Sequence, residues 1–191
     1  MDALLIVNGK AAASPQLREA VAAQRADGWQ LAVRVTWEHG DAVRYADEAC
    51  ERGVDSVIAA GGDGTVNEVA AALAARGEDA HALPALGVLP FGTANDFASA
   101  CRIPDDPAQA LTLIADTGPR LIDVGRVRVG ECGDAQHFIN LATGGFGTEV
   151  TSETSDELKS VLGAAAYQAP TIIMWTKARS MVASFSSIAR S

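Results

Sequence analysis

Apolar and polar positions fall in alternating blocks along the first 120 residues, and the blocks predict strand and helix in turn. Ala3–Val7 is a continuous apolar run that stops at Asn8-Gly9, which predicts a buried strand. Ser14-Pro15 opens a helix with Ser14 as its N-cap. Leu17, Ala20 and Val21 follow at helical spacing until Gly28 closes it. Leu31–Trp37 alternates and is rich in β-formers, so a second strand is expected, with Trp37 turned into the core. A helix over Asp41–Arg52 and a strand over Val54–Ala60 come next. The remaining blocks predict a helix over Val66–Arg76, a strand over Ala85–Leu89, a short helix over Ala94–Cys101 and a helix from Asp106-Pro107 to Asp116.

Short apolar strands separated by helices predict an α/β fold built on a parallel sheet with helices on both faces. Ligands of such sheets bind beyond the C-terminal ends of the strands. After residue 120 the pattern changes. Leu121–Val129 and His137–Ala142 read as strands joined by a turn over 130–134, and Glu149–Leu162 reads as a helix. The expected organisation is an α/β domain over 1–120, the start of an incomplete β-rich second domain over 121–167, and a divergent tail over 168–191.

The chain has 191 residues, of which 48% are hydrophobic and 5% aromatic, enough for one large domain or one domain and part of another. A net charge of −9 argues against nucleic acid as a partner. The charge is uneven. Residues 1–168 hold 12 basic and all 24 acidic side chains, a balance of −12. Residues 169–191 hold Lys177, Arg179 and Arg190 and no acid, a balance of +3. In that tail Met174, Ala178, Met181, Val182, Phe185 and Ile188 recur at helical spacing. They read as an interfacial helix, or as a disordered or opportunistic helical end. No run of about 18 apolar residues occurs, and the N-terminal run is too short for a signal peptide, so a cytoplasmic protein without a membrane span is expected. Cys50, Cys101 and Cys132 lie far apart and read as idle thiols. His39, His81 and His137 show no metal-ligand spacing and read as surface or structural.

Two segments carry chemistry. One runs from Ala60 through Gly61-Gly62-Asp63-Gly64-Thr65-Val66-Asn67-Glu68, the other from Leu89 through Pro90-Phe91-Gly92-Thr93-Ala94-Asn95-Asp96. Each follows an apolar strand, opens a helix and contains Gly-Thr-x-Asn-acid. Glycines let backbone N–H groups approach a phosphate, and the helix N-terminus behind them adds free donors and a favourable dipole. Thr65 and Thr93 can donate to phosphate oxygens, and Asn67 and Asn95 can do the same or brace the loops. Asp63 opposes an anion unless a cation, a metal or a donor network meets it. A plainer reading exists for part of this pattern: Thr65-x-x-Glu68 has the form of a capping box, and Thr93-x-x-Asp96 a near variant. The P-loop motif is absent, and the dinucleotide fingerprint fails because Asn67 stands where its last glycine would be. Thr36, at the end of the second strand, is a plausible ribose or adenosine contact.

Gly61-Gly62-Asp63-Gly64-Thr65 together with Leu-Pro-Phe-Gly-Thr-Ala-Asn-Asp-Phe-Ala over 89–98 resembles the diacylglycerol-kinase catalytic-domain superfamily. The runs at 33–38 and 140–154 are similar to the bacterial YegS-type lipid kinases in particular. The first motif alone is shared with NAD kinases and phosphofructokinases; the second narrows it to lipid kinases. The resemblance implies a diacylglycerol-kinase-like nucleotide-binding domain that transfers the ATP γ-phosphoryl group to a lipid hydroxyl, with Mg2+. The acceptor would be a diacylglycerol- or phosphatidylglycerol-like lipid met at the inner face of the membrane. It carries ATP contacts onto Thr36, Gly62, Asp63, Gly64, Thr65, Val66, Asn67, Glu68 and Thr93. Asp96 matches an acidic position that the family uses near the phosphates or metal, and is the candidate catalytic residue within this chain. The family's catalytic glutamate and magnesium ligands fall beyond Ser191, so a truncated member, with its tail a frameshifted or foreign end, is expected. The competing expectations are a nucleotide-binding pseudokinase remnant and an NAD-kinase-like enzyme.

Overall fold

The computed structural model describes residues 1–128, 135–139 and 176–183. Four strands, β1 (Asp2–Asn8), β2 (Gln30–Thr36), β3 (Ser56–Gly61) and β4 (Ala85–Pro90), pair in parallel in the order β2-β1-β3-β4. Leu5 lies level with Val33 on one side and Ile58 on the other, and Ile58 with Gly87. The inner strands are covered on both faces, which explains their unbroken apolar runs: Leu4, Leu5, Ile6, Val57, Ile58, Leu86 and Leu89 are wholly buried. Each such side chain contributes roughly 1.5–3 kcal/mol when buried.

Helices fill the connections. They are α1 (Pro15–Ala26), α2 (Asp41–Arg52), α3 (Asp63–Ala75), the short α4 (Asp96–Ala100) and α5 (Pro107–Asp116). α1 packs beside α5, and α2 beside α3. Ile114 of α5 and Ile58 of β3 close over Gly87, which places the α1–α5 pair on the face that Leu5 and Ile58 share. The alternate positions face α2 and α3. Two predicted caps form as expected. Ser14 Oγ accepts from the Leu17 N–H at 3.2 Å, and Asp106 Oδ1 accepts from the Gln109 N–H at 2.9 Å. Arg34 and Glu48 tie β2 to α2 through a two-pronged contact, at 2.9 Å and 2.5 Å. The Arg34 hydrogen bond holds the Glu48 carboxyl below its usual range.

Differences from the sequence expectations are local. The helix expected from Val66 begins at Asp63, with Gly62 as its N-cap. Trp37 is not a core residue: it is 93% exposed, because β2 ends at Thr36 and the chain leaves the sheet there. Beyond α5, β5 (Arg120–Arg128) and β6 (Ala135–Phe138) pair antiparallel, as the hairpin reading expects. In the tail the helical reading fails over Thr176–Ala183. This segment is a strand, β7, which runs antiparallel to β5 and meets β4 at Leu86. An unpaired strand edge is a strong template for another strand, and here it overrides the helical spacing. The sheet therefore continues in the order β2-β1-β3-β4-β7-β5-β6. The helix expected over Glu149–Leu162 and Cys132 lie outside the described residues.

Candidate functional site

The C-terminal ends of β2, β1 and β3 open side by side, and a cleft of about 650 Å³ lies over them. Its walls come from three chain segments. Asn8 ends β1, with Gly9 and Lys10 after it; Thr36 ends β2, with Trp37, Glu38 and His39 after it; Gly62, Gly64, Thr65 and Glu68 form the corner between β3 and α3. This is the edge of the sheet where α/β folds bind ligands.

The β3–α3 corner is fixed from several sides. Gly62 accepts from the Val66 N–H at 3.1 Å, closing the first turn of α3. Thr65 is buried, and its Oγ1 accepts from Asn8 Nδ2 at 3.4 Å. Asn8 Oδ1 in turn accepts from the Lys10 N–H at 2.9 Å, so one side chain links two walls of the cleft. Gly64 is exposed, with nothing within 4 Å of where a Cβ would stand. Its open backbone and the first turn of a 13-residue helix present unpaired N–H groups to the cleft.

The capping-box reading fails at both corners. Thr65 lies inside α3, two residues past its first residue, and no side chain caps that helix. α4 starts at Asp96, after Asn95 rather than Thr93, and again without a side-chain cap. None of Thr65, Glu68, Thr93 and Asp96 thus acts as a side-chain cap.

The second corner stands against the first. The Phe91 N–H donates to the Gly61 carbonyl at 2.9 Å, and Gly92 packs on Gly62. Asn95, in the left-handed region at φ 51°, clasps its own loop: its Oδ1 accepts from the Gly92 N–H at 2.8 Å, and its Nδ2 donates to the Gly92 carbonyl at 3.0 Å. Asp63, half-buried, accepts from the Phe97 N–H at 3.3 Å. This carboxylate thus has one backbone donor from the second corner.

The sequence-derived site residues separate into groups. Thr36, Gly62, Gly64, Thr65 and Glu68 line the cleft together. Asp63 faces the second corner, where Thr93 and Asp96 are exposed and outside the cleft lining. The Val66 side chain is buried in the core, and Asn67 Oδ1 accepts from the Ile139 N–H at 3.0 Å, beside β6. Sequence reasoning overlooked Lys10 and assigned His39 to a merely structural or surface role; both line the cleft. The turn signal Asn8-Gly9 at the end of the first strand, on the ligand-binding rim, could have drawn attention to Lys10.

One buried carboxylate shapes the mouth. Asp41, 4% exposed, accepts at Oδ2 from the Trp37 N–H at 2.7 Å and the Glu38 N–H at 3.2 Å. Its Oδ1 accepts from Arg44 at 2.7 Å. The two backbone hydrogen bonds, Trp37 first, hold its carboxyl below the usual range, and Arg44 acts in the same direction. Cys50 and Cys101 are half-buried, and burial pushes both thiols up, which suits idle thiols. No helix among the described residues is long and apolar enough to cross a membrane.

A family model described as the diacylglycerol kinase catalytic domain matches residues 2–127. A curated protein of Pectobacterium atrosepticum named "Probable lipid kinase YegS-like" is 53% identical over 164 residues, covering 86% of this chain and 52% of that protein. A protein of the same name from Serratia proteamaculans is 54% identical over 165 residues, again covering 86% of this chain and 52% of that one. The crystal structure of a diacylglycerol kinase from Bacillus anthracis matches with a TM-score of 0.63 and 32% identity, over 84% of this chain and 53% of that one. The chain spans about half the length of the curated relatives it matches.

Proposed function

The chain belongs to the diacylglycerol kinase catalytic-domain family, and from that premise we propose that its cleft binds ATP for phosphoryl transfer to a lipid hydroxyl. The observation that carries this reading is the cleft itself. Gly62, Gly64 and Thr65 present an amide-lined corner at a helix N-terminus, and Thr36 lies across the same cleft, two strands away. A triphosphate suits the corner and a ribose suits Thr36. Lys10, on the cleft wall, supplies a cation toward the phosphates. Thr93, exposed on the second corner, is the hydroxyl proposed to meet the phosphates from that side.

Magnesium fits this reading on the chemistry of the donors. The described residues form no group of three or more His, Cys, Asp or Glu that could hold a metal alone. A nucleotide-bound magnesium needs no such cage, since it takes most of its oxygens from phosphates and water and one or two from carboxylates. Among the described residues, Glu68 on the cleft lining, with Asp63 and Asp96 at the second corner, are the carboxylates that could supply such a contact. When bound, it supplies neutralisation of phosphate charge during transfer. The protein groups do the positioning: backbone amides hold the phosphates, and the Asp63–Phe97 link keeps the two corners together. The acceptor is a diacylglycerol- or phosphatidylglycerol-like lipid, met by a protein peripheral to the membrane.

Calorimetry with ATP and MgCl2, joined to phosphate transfer onto diacylglycerol and phosphatidylglycerol in mixed micelles, tests the two halves of the proposal. ATP binding with transfer to either lipid is the expected result. Binding without transfer to any lipid would leave a nucleotide-binding module. Transfer to NAD would move the chain toward the NAD kinases. Absence of binding would overturn the reading.

A further inference from the structure

Trp37 combines an uncovered side chain with a tethered main chain. Its indole is 93% exposed, yet its backbone is anchored. The anchor is Asp41, a nearly buried carboxylate at the first residue of α2, which takes the Trp37 N–H at 2.7 Å and the Glu38 N–H at 3.2 Å. Gly40, at φ +90°, lets the loop turn back onto that carboxylate. The loop Trp37–Gly40 is thus closed on a fixed point while its largest apolar surface is left uncovered at the mouth of the cleft. An indole gains much from contact with a flat partner, and one held on the rim of a polar cleft is placed to meet a ligand's planar part.

The position sets which part of the ligand that is. Trp37 follows β2, and the amide-lined corner follows β3, with β1 between them. Two strand spacings put the two ends of the cleft about 10 Å apart. That span accommodates a ribose and the first phosphates, so a base would lie at the Trp37 end. We propose that Trp37 is the stacking platform for the purine base, a positioning residue of the nucleotide site. The inference rests on the nucleotide reading above and adds the orientation: phosphates over Gly62 to Thr65, base against Trp37. Stacking uses the π-face that every base has, so Trp37 itself discriminates poorly between adenine and guanine.

The test uses the full chain, with ATP and inorganic tripolyphosphate as separate calorimetric probes. Trp37→Ala is expected to weaken ATP binding about tenfold or more, to leave tripolyphosphate binding unchanged, and to weaken GTP in the same proportion. Trp37→Phe is expected to restore most of the ATP affinity. Far-UV circular dichroism should show both variants folded as the wild type. An ATP affinity unchanged by Trp37→Ala overturns the inference and leaves the nucleotide reading standing. So does an equal loss for ATP and tripolyphosphate, which would mean that Trp37 only shapes the loop. Unchanged ATP affinity with lost binding to phosphatidylglycerol vesicles would reassign the indole to membrane contact. A wild-type chain that binds no nucleotide removes both readings together.

Discussion

Gly62 and Gly92 meet backbone to backbone. A methyl group built on Gly92 would stand 2.5 Å from the Gly62 Cα, and one built on Gly62 would stand 3.0 Å from the Gly92 Cα. The two strand-to-helix corners touch because neither carries a side chain at the point of contact. Neither backbone can yield as the end of a flexible side chain could.

That contact sets the first expectation. Gly92→Ala should destabilise the protein by about 1–3 kcal/mol, as overpacking does, and urea unfolding measures it. The Asn95 Oδ1 stands 2.6 Å from the same methyl position, so the loop's own clasp would also be pushed apart. A loss below ~0.5 kcal/mol would mean that the corners can separate freely.

Gly64 should behave in the opposite way. Space around its Cβ position is open, and Gly64→Val should change stability by less than about 1 kcal/mol. ATP binding should nevertheless vanish, because the added side chain blocks backbone approach to a phosphate. Calorimetry beside urea unfolding separates the two effects, and normal ATP binding by the variant would remove the phosphate from this corner.

Asp63 has a bracing role and a proposed metal role, and two substitutions divide them. Asp63→Ala should cost about 0.5–1.5 kcal/mol for the lost acceptor to the Phe97 N–H. Asp63→Asn keeps an acceptor oxygen and should fold as the wild type, but magnesium should no longer strengthen its ATP binding. Calorimetry with and without MgCl2 reads this directly. A variant that still gains affinity from magnesium would confine Asp63 to bracing.

Thr93→Val should weaken ATP binding by ~1.5–3 kcal/mol, the value of one hydrogen bond to a charged group. Thr93 is exposed, so the fold should be indifferent to the change. Equal ATP affinity in the variant would limit the phosphate site to the first corner.

Asp41 predicts a pH dependence with a definite sign. Its carboxyl sits lower in the folded protein than in the unfolded chain, chiefly because the Trp37 and Glu38 amides donate to it. Its stabilisation is therefore fully present above the unfolded value and disappears as pH falls through the lowered folded value. At neutral pH Asp41→Ala should melt at a lower temperature than the wild type. The two melting temperatures should converge as the solution is acidified, and a gap that stays constant would show that Asp41 stabilises without its charge.

Most of the sheet domain was legible because its signals are local. The unbroken apolar run over Ala3–Val7, short and stopped by Asn8-Gly9, reads as a strand covered on both faces, and Ser14 and Asp106 cap their helices through side chains written in the sequence. The glycine corner after β3 was legible for the same reason, since spacing and context pointed to it. What failed depended on partners distant in sequence. Trp37 reads as a core residue until one knows that Asp41 draws the chain out of the sheet just there. The Thr176–Ala183 segment carries helical spacing, but its state is decided by the edges of β4 and β5, which no local pattern reveals. Asn67 also makes a contact that its motif does not show: its Oδ1 accepts from an amide 72 residues away.

That last pairing gives α3 two audiences. Its first turn faces the cleft, while Asn67, within the next turn, holds the Ile139 amide beside β6. A rigid helix moves as one body, so an anion settling at its N-terminus would be felt at Ile139 without any contact between the two. The Ile139 amide resonance should then shift with nucleotide occupancy, making this residue a built-in gauge of whether the cleft is full.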